Sequence, residues 1–278
     1  MDLARAPIDL AVVRAAMSDP DRWTLQHCVV TGSSNADLVA AAADAAEGTV
    51  LITEEQTAGR GRLGRSWQAP RGSSVMISIL LRPPVPAGRR SWLGALLGLA
   101  LVTAIRRCTG LPAELKWPND VLIAGRKCAG ILAEAIGDAV IVGTGLNVTL
   151  SADELPADPG ATPATSLLLA AGGRPTVPDR AELVAALLDS YGELYDRWRA
   201  AAGDMSAAGL LTEYRNRCAT LDSAVRVDLP DGAAVIGTAT DVADDGALLV
   251  RDEAGRLFRF AAADVRHLRP APAGSDRR

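Results

Sequence analysis

Residues 116–127 read KWPNDVLIAGRK, and Lys116 and Lys127 at its ends are the only lysines in a chain of 278 residues. Every other basic residue is arginine. The stretch sits among short β-rich runs, AELKW, DVLIAG, KCAGILAEAI and AVIVGTGLNV, and the Ala124–Gly125–Arg126 step has hairpin-turn chemistry. That predicts a sheet region carrying both lysines. An arginine-rich composition explains the lysines missing elsewhere, but not two survivors side by side. Arginine is a planar, permanently charged fork; lysine is a compact point charge on a flexible stem. Beside a reacting carboxylate or phosphate the fork is a poor substitute. The pair therefore points to an anion site, with chance clustering as the alternative.

Working upstream, GTVLITEEQ (48–56) reads as a strand leading into a loop, AGRGRLGRSW, and SSVMISILLRP as a second strand stopped by Pro83 and Pro84. No acid occurs between Glu55 and Glu114, while Arg60, Arg62, Arg65, Arg71, Arg82, Arg89, Arg90, Arg106 and Arg107 fall there. A local field of that sign suits a polyphosphate or carboxylate; acidic partners elsewhere in the fold are the plain alternative. Gly59, Gly61 and Gly64 match GxGxxG. A dinucleotide fingerprint would carry an acid some twenty residues on, and none is present. Arginines among glycines instead suggest a mobile loop whose guanidinium groups and backbone N–H groups close on an anion. Empty of anion, those arginines should repel one another. Trp67 either stacks on a base or anchors the following strand.

Composition bounds the rest. Hydrophobic residues make up 49% and charged residues 22%, as in an ordinary soluble globular protein, and a net charge of −4 gives no global argument for nucleic-acid binding. Cys28, Cys108, Cys128 and Cys218 are scattered, which argues against a disulfide framework or a structural zinc site. The N-terminus is too acidic for a signal peptide. The apolar run Trp92–Ile105 is short for a membrane span and reads as a core helix. PDRAELVAALLDSYGELYDRWRA reads as a long amphipathic helix, and 151–163 as a loop. From Leu221 short alternating segments separated by turn signals predict a small β-barrel. The expected organisation is a helix and linker over 1–22, a main domain over 23–219, the barrel over 220–270 and a disordered tail over 271–278, in a cytoplasmic protein.

The residues TGSSNAD, GRGRLGRSW, KWPNDVLIAGRKCAGILAE and GTGLNV, in that order and spacing, resemble the biotin–protein ligase family from about Thr31 to the C-terminus. The fold so implied is α+β: a mixed β-sheet catalytic domain flanked by helices, class II synthetase-like, with a small SH3-like C-terminal β-barrel. The implied reaction joins biotin and MgATP into biotinyl-5′-AMP and pyrophosphate. The biotinyl group then passes to a lysine of a biotin carboxyl carrier domain of acyl-CoA carboxylases. Both first-step reactants are anions, so cations must hold them together and stabilise charge at phosphorus.

By resemblance, Lys127 and Arg62 are the catalytic cations. Biotin is bound by Ser33, Ser34, Asn35, Gln56, Gly59, Arg60, Gly61, Arg62, Lys127 and Gly130. ATP and the adenylate meet Arg62, Arg65, Trp67, Lys116, Asn119 and Asn147. Asp120 is a Mg²⁺ partner, an anchor for the arginine loop, or simply an Asx turn. Ser33 and Ser34 also suit a helix cap, Gly130 a strand bulge, and Asn147 a turn. Glu134 receives no role. Ser34 stands where threonine is usual and Leu63 where a basic residue is frequent. About thirty residues precede Thr31, without a recognition-helix pattern, so the expectation is a monofunctional ligase that binds neither nucleic acid nor membrane, as a monomer or weak homodimer. A lipoate- or octanoate-transferring relative, a Rossmann oxidoreductase and a non-catalytic biotin-binding regulator are the alternatives.

Overall fold

The computed structural model describes residues 5–157, 162–172, 178–229, 233–261 and 263–268. The expected tail lies outside them. In chain order the elements are α1 (Leu10–Ala16), β1 (Thr24–Thr31), α2 (Ser34–Ala40), β2 (Thr49–Gln56), β3 (Ser74–Leu81), α3 (Trp92–Thr109), β4 (Ala113–Lys116), β5 (Asp120–Ile123), β6 (Arg126–Ile136) and β7 (Ala139–Asn147). There follow α4 (Leu167–Ala170), α5 (Arg180–Ala200), α6 (Leu210–Arg217), β8 (Ala224–Asp228), β9 (Ala234–Val242), β10 (Leu248–Arg251), β11 (Leu257–Phe260) and β12 (Asp264–His267). Strand β1 and helix α6 were not foreseen in the sequence.

A seven-stranded sheet runs β1-β2-β3-β7-β6-β5-β4. Its β1–β2 pair is parallel, and the other neighbours are antiparallel. This mixed sheet is not the parallel array of a dinucleotide fold. The hairpin between β5 and β6 turns on Ala124 and Gly125, both at positive φ, as a tight two-residue turn requires.

Period-two alternation divides the sheet's faces. Val75, Ile77, Ile79 and Leu81 of β3 and Val140 and Val142 of β7 point into the main core with α3 and α5. Each such side chain contributes about 1.5–3 kcal/mol on burial. Leu80 and Ile141 point the other way, against Leu38 of α2. Ser78, Gly143 and Gly145 share that second face by the same alternation. α3 is long and apolar enough to cross a membrane by composition, yet it is the central core helix, packed along α5.

A buried charged knot ties the N-terminal segment to this core. The Glu54 carboxylate, 1% exposed, accepts from Ile8 N–H at 2.7 Å, meets Arg180 at 2.7 Å and lies 2.9 Å from His27 Nε2. Burial opposes its charge, but these partners outweigh it and hold its pKa below the usual carboxylate range.

The C-terminal strands form a five-stranded antiparallel sheet, β11-β10-β9-β8-β12. Among the described residues no pairing joins β11 to β12, so the sheet is not closed into the expected barrel. The run read as one segment, RLFRFAAADV, breaks into β11 and β12 at opposite edges of the sheet. The sheet abuts the catalytic region through Thr220, whose hydroxyl accepts from Trp117 N–H at 2.9 Å and lies 3.0 Å from His267 Nε2.

Candidate active site

Two adjoining cavities open on the face of the large sheet that carries α2. The floor of the smaller is a continuous polar chain. Ser33 caps α2, and its hydroxyl accepts from Ala36 N–H, so the cap reading holds at this residue. Ser34 donates its backbone N–H to Gln56 Oε1 at 2.9 Å. Its hydroxyl lies 2.7 Å from that of Ser78, which donates to Asn35 Oδ1 at 2.6 Å. Asn35 donates in turn to Glu134 Oε2 at 2.8 Å, and Glu134 meets Arg60 at 3.2 Å. Ser78 was invisible in the sequence because one serine in an apolar strand carries no signal; its face becomes clear only once β3 pairs with β7. Glu134, left without a role above, links the arginine loop to the floor. Gly143 makes room for the chain: a Cβ there would stand 2.1 Å from Asn35 Oδ1 and 2.8 Å from Ser78 Oγ.

Where the cavities join stand the two lysines. Lys127 Nζ lies 2.7 Å from Asp120 Oδ1, and Lys116 Nζ 3.9 Å from Asp120 Oδ2. Asp120 therefore pairs with the lysines rather than with the arginine loop. Lys116 is 5% exposed. Burial lowers its pKa, and Asp120 opposes that shift. Burial and then the Lys116 charge push His267 down to about 4, so the ring is neutral at physiological pH. Trp67 spans Gly130 and Gly145: an added Cβ would meet the indole at 3.3 and 2.3 Å, and the Lys127 ammonium is 5.8 Å from the ring centroid. Its indole N–H is buried without a hydrogen-bond partner.

The arginine loop forms a hairpin, with Gly61 N–H on Arg65 O at 2.6 Å and Trp67 N–H on Gly59 O at 2.9 Å. Gly59 closes its stem, since a Cβ there would stand 2.3 Å from Trp67 O. The expected mutual repulsion is relieved by partners outside the loop. Arg60 meets Glu134, Arg62 donates to Asn119 Oδ1 at 3.3 Å, and Arg65 pairs with Asp264 of β12. Burial lowers the pKa of Arg62, with Asp120 opposing. Leu63 is 73% exposed and sits at φ 56, a left-handed conformation costly for a residue with a Cβ.

Asn147 does not reach the smaller cavity. It lines the larger one, and its amide donates to Thr165 O at 3.0 Å. Ala152, Leu155, Pro156 and β12 complete that wall. Every other residue proposed from the sequence lines the smaller cavity, apart from Gly59 in the loop stem. No cluster of three or more metal-ligating side chains occurs among the described residues. Asp120 and Asp264 both face the cavities. Two carboxylates suit a Mg²⁺ ion that takes its remaining ligands from phosphate and water.

The biotin/lipoate A/B protein ligase family matches residues 28–148, and the biotin protein ligase C-terminal domain matches residues 220–268. The biotin–[acetyl-CoA-carboxylase] ligase of Mycobacterium tuberculosis is 41% identical over 276 residues, covering 96% of this chain and 98% of its own. That of Paracoccus denitrificans is 34% identical, covering 84% and 97%. The biotin protein ligase of Aquifex aeolicus in complex with biotin and ATP superposes with a TM-score of 0.75 at 26% identity, over 88% of this chain and 99% of that one. With both domains matched and two relatives covered over nearly their whole length, this chain belongs to the biotin/lipoate A/B protein ligase family, among the biotin protein ligases.

Proposed function

We propose that this protein activates biotin with MgATP to biotinyl-5′-AMP and transfers the biotinyl group to one lysine of a carboxyl-carrier domain of an acyl-CoA carboxylase. The observation that carries this reading is the placement of Lys127. Its ammonium stands where a polar slot meets a larger, arginine-rimmed cavity. In the smaller cavity, Ser34, Gln56, Ser78 and Asn35 offer hydroxyl and amide groups suited to the ureido ring. The larger cavity takes the nucleotide, with Trp67 and Asn147 on its wall.

Biotin's carboxylate and the α-phosphate then meet at Lys127. The ammonium neutralises both and holds them in line. Arg62 adds charge where negative charge grows at phosphorus, at strength because the site is partly desolvated. Asp120 and Asp264 would hold the Mg²⁺ that accompanies ATP, which would supply charge screening to the phosphates. In the second step the neutral amine of the acceptor lysine attacks the acyl carbon, and AMP leaves. A cytoplasmic monomer or weak homodimer is the setting that fits this chemistry.

Incubation with biotin and MgATP should yield biotinyl-AMP by mass spectrometry. Lipoyl-AMP formed in preference would reassign the substrate, and biotin binding with no adenylate would make the protein a regulator. The loop gives a second readout. Trypsin should cut first at Arg60 or Arg65, which are exposed, and biotin plus MgATP should protect both as the arginines exchange carboxylates for phosphate. A cutting rate indifferent to ligand would exclude a ligand-ordered loop.

We propose that the described residues do not bind DNA in a sequence-specific manner. The described residues before β1 hold one seven-residue helix, α1, docked on α5. A gel shift that resists salt and depends on sequence would overturn this expectation.

A further inference from the structure

The segment Arg5–Ile8, ahead of α1, contributes nothing to the catalytic chemistry, yet its Arg5 side chain binds Thr149 and Glu154, on the stretch that carries Ala152 of the larger cavity. The Arg5 guanidinium donates to Thr149 Oγ1 at 3.2 Å and Thr149 O at 3.0 Å. It also grips Glu154 in bidentate fashion, at 2.9 and 2.6 Å. Ser151 fastens the same carboxylate from the other side, by its N–H at 3.0 Å and its hydroxyl at 3.1 Å. The Arg5 hydrogen bonds, first among these contacts, hold the Glu154 carboxyl down to about 2, so the pair stays charged at any working pH.

The backbone of the segment makes a second contact. A Cβ on Gly72 would stand only 2.5 Å from the Arg5 carbonyl oxygen, and Gly72 follows the arginine loop at φ +72. The next residue, Ser73, accepts from Val148 N–H at 3.1 Å and Thr149 N–H at 2.9 Å. Behind Arg5 the segment is locked by Ile8 N–H on buried Glu54 and by Arg180 on Ala6 O. Arg5 thus joins the root of the arginine loop to the stretch Thr149–Glu154. That stretch begins two residues after Asn147 and leads into Leu155 and Pro156, all three lining the larger cavity.

We propose that Arg5 is a positioning residue for the nucleotide half of the site: a brace that holds the Thr149–Glu154 wall in its binding geometry through Glu154. This rests on the reading that the larger cavity takes ATP. Inside the wall the backbone bonds itself through Glu154 N–H on Ser151 O at 3.3 Å, a weak contact. Without the brace the competent geometry is one of several, and apparent affinity falls by the fraction of time it is lost. Ala152 of this stretch, with Leu155 and Pro156 after it, lines the larger cavity and not the smaller, so biotin binding is expected to be unaffected.

The test uses the full chain with Arg5→Ala, Glu154→Ala and the double variant, followed by biotin-dependent ATP–pyrophosphate exchange and by calorimetric titration of biotin without nucleotide. Each single variant should raise the KM for ATP about tenfold, the scale expected for losing one bidentate charged pair. The double variant should fall well short of the product of the two single effects, because both break the Arg5–Glu154 pair. Biotin affinity should stay within about twofold, and Arg5→Lys should recover part of the loss. Should Arg5→Ala fold poorly, Glu154→Ala, at a surface position, carries the same test. A KM for ATP unchanged in Glu154→Ala, additive single effects, or an equal loss of biotin affinity would each overturn the brace. A wild-type protein that makes no biotinyl-AMP would instead sink the functional reading on which the brace rests.

Discussion

Replacing Lys127 with alanine is expected to slow biotinyl-AMP formation by at least about a hundredfold, the scale seen when one charge-stabilising donor is removed from a preorganised site. The ammonium is the positive charge placed where two anions must meet, and it is held by Asp120 at 2.7 Å. Lys116, 3.9 Å from the same carboxylate and 5% exposed, cannot move across to replace it without leaving its own buried seat. Lys127→Arg should fail too. A Cβ on Gly130 would stand only 3.3 Å from Lys127 Nζ and from the Trp67 ring, so the space is cut for a narrow ammonium and a planar fork would displace the indole. Biotin-dependent pyrophosphate exchange measures both variants. Exchange by Lys127→Arg close to that of the wild type would refute the point-charge argument, whatever Lys127→Ala did.

Gly143→Ala is expected to cost roughly 2–4 kcal/mol of stability and most of the affinity for biotin. The new methyl group would stand 2.1 Å from Asn35 Oδ1 and 2.8 Å from Ser78 Oγ. Asn35 is buried and bonded to both Ser78 and Glu134, so rotating away breaks the polar floor from Ser34 to Arg60. Gly145→Ala is the control. Its methyl would collide with Trp67, which lies outside any helix or strand of the core, so its stability should change by less than about 1 kcal/mol. Denaturant unfolding and biotin calorimetry test the pair. Equal destabilisation by the two substitutions would show that the floor is no more rigid than the loop.

Much of the fold was legible because local signals agreed. β2, β3 and the run from β4 to β7 are apolar stretches bounded by turn residues, and the Ala124–Gly125 turn sits where its glycine and flanking strands demand. β1 escaped notice because TLQHCVVT mixes polar and apolar residues without strict alternation, and its burial follows its place at the sheet edge beside β2. The barrel was over-read. Alternation specifies strands with one buried face, but whether the first and last strands pair is a matter of curvature, which alternation does not encode.

For the site, the sequence by itself determined the inventory: two lysines, an arginine loop, a Ser-Ser-Asn start to α2 and an asparagine at the end of β7. Residue types and spacing select anion chemistry before any fold is known, because charge and hydrogen-bonding capacity belong to the side chain. Tertiary structure alone decided the partnerships. Asp120 became the counter-ion of the lysines, and Asn147 turned to Thr165 on the wall of the larger cavity. Glu134, Asp264 and Asn119 became the resting partners of Arg60, Arg65 and Arg62. Arg5 met Glu154 across most of the chain. These contacts join residues far apart in sequence. Hydrogen bonds are lost beyond about 3.5 Å and ion pairs are screened within about 10 Å, so only the folded backbone, not the order of residues along it, can bring them into being.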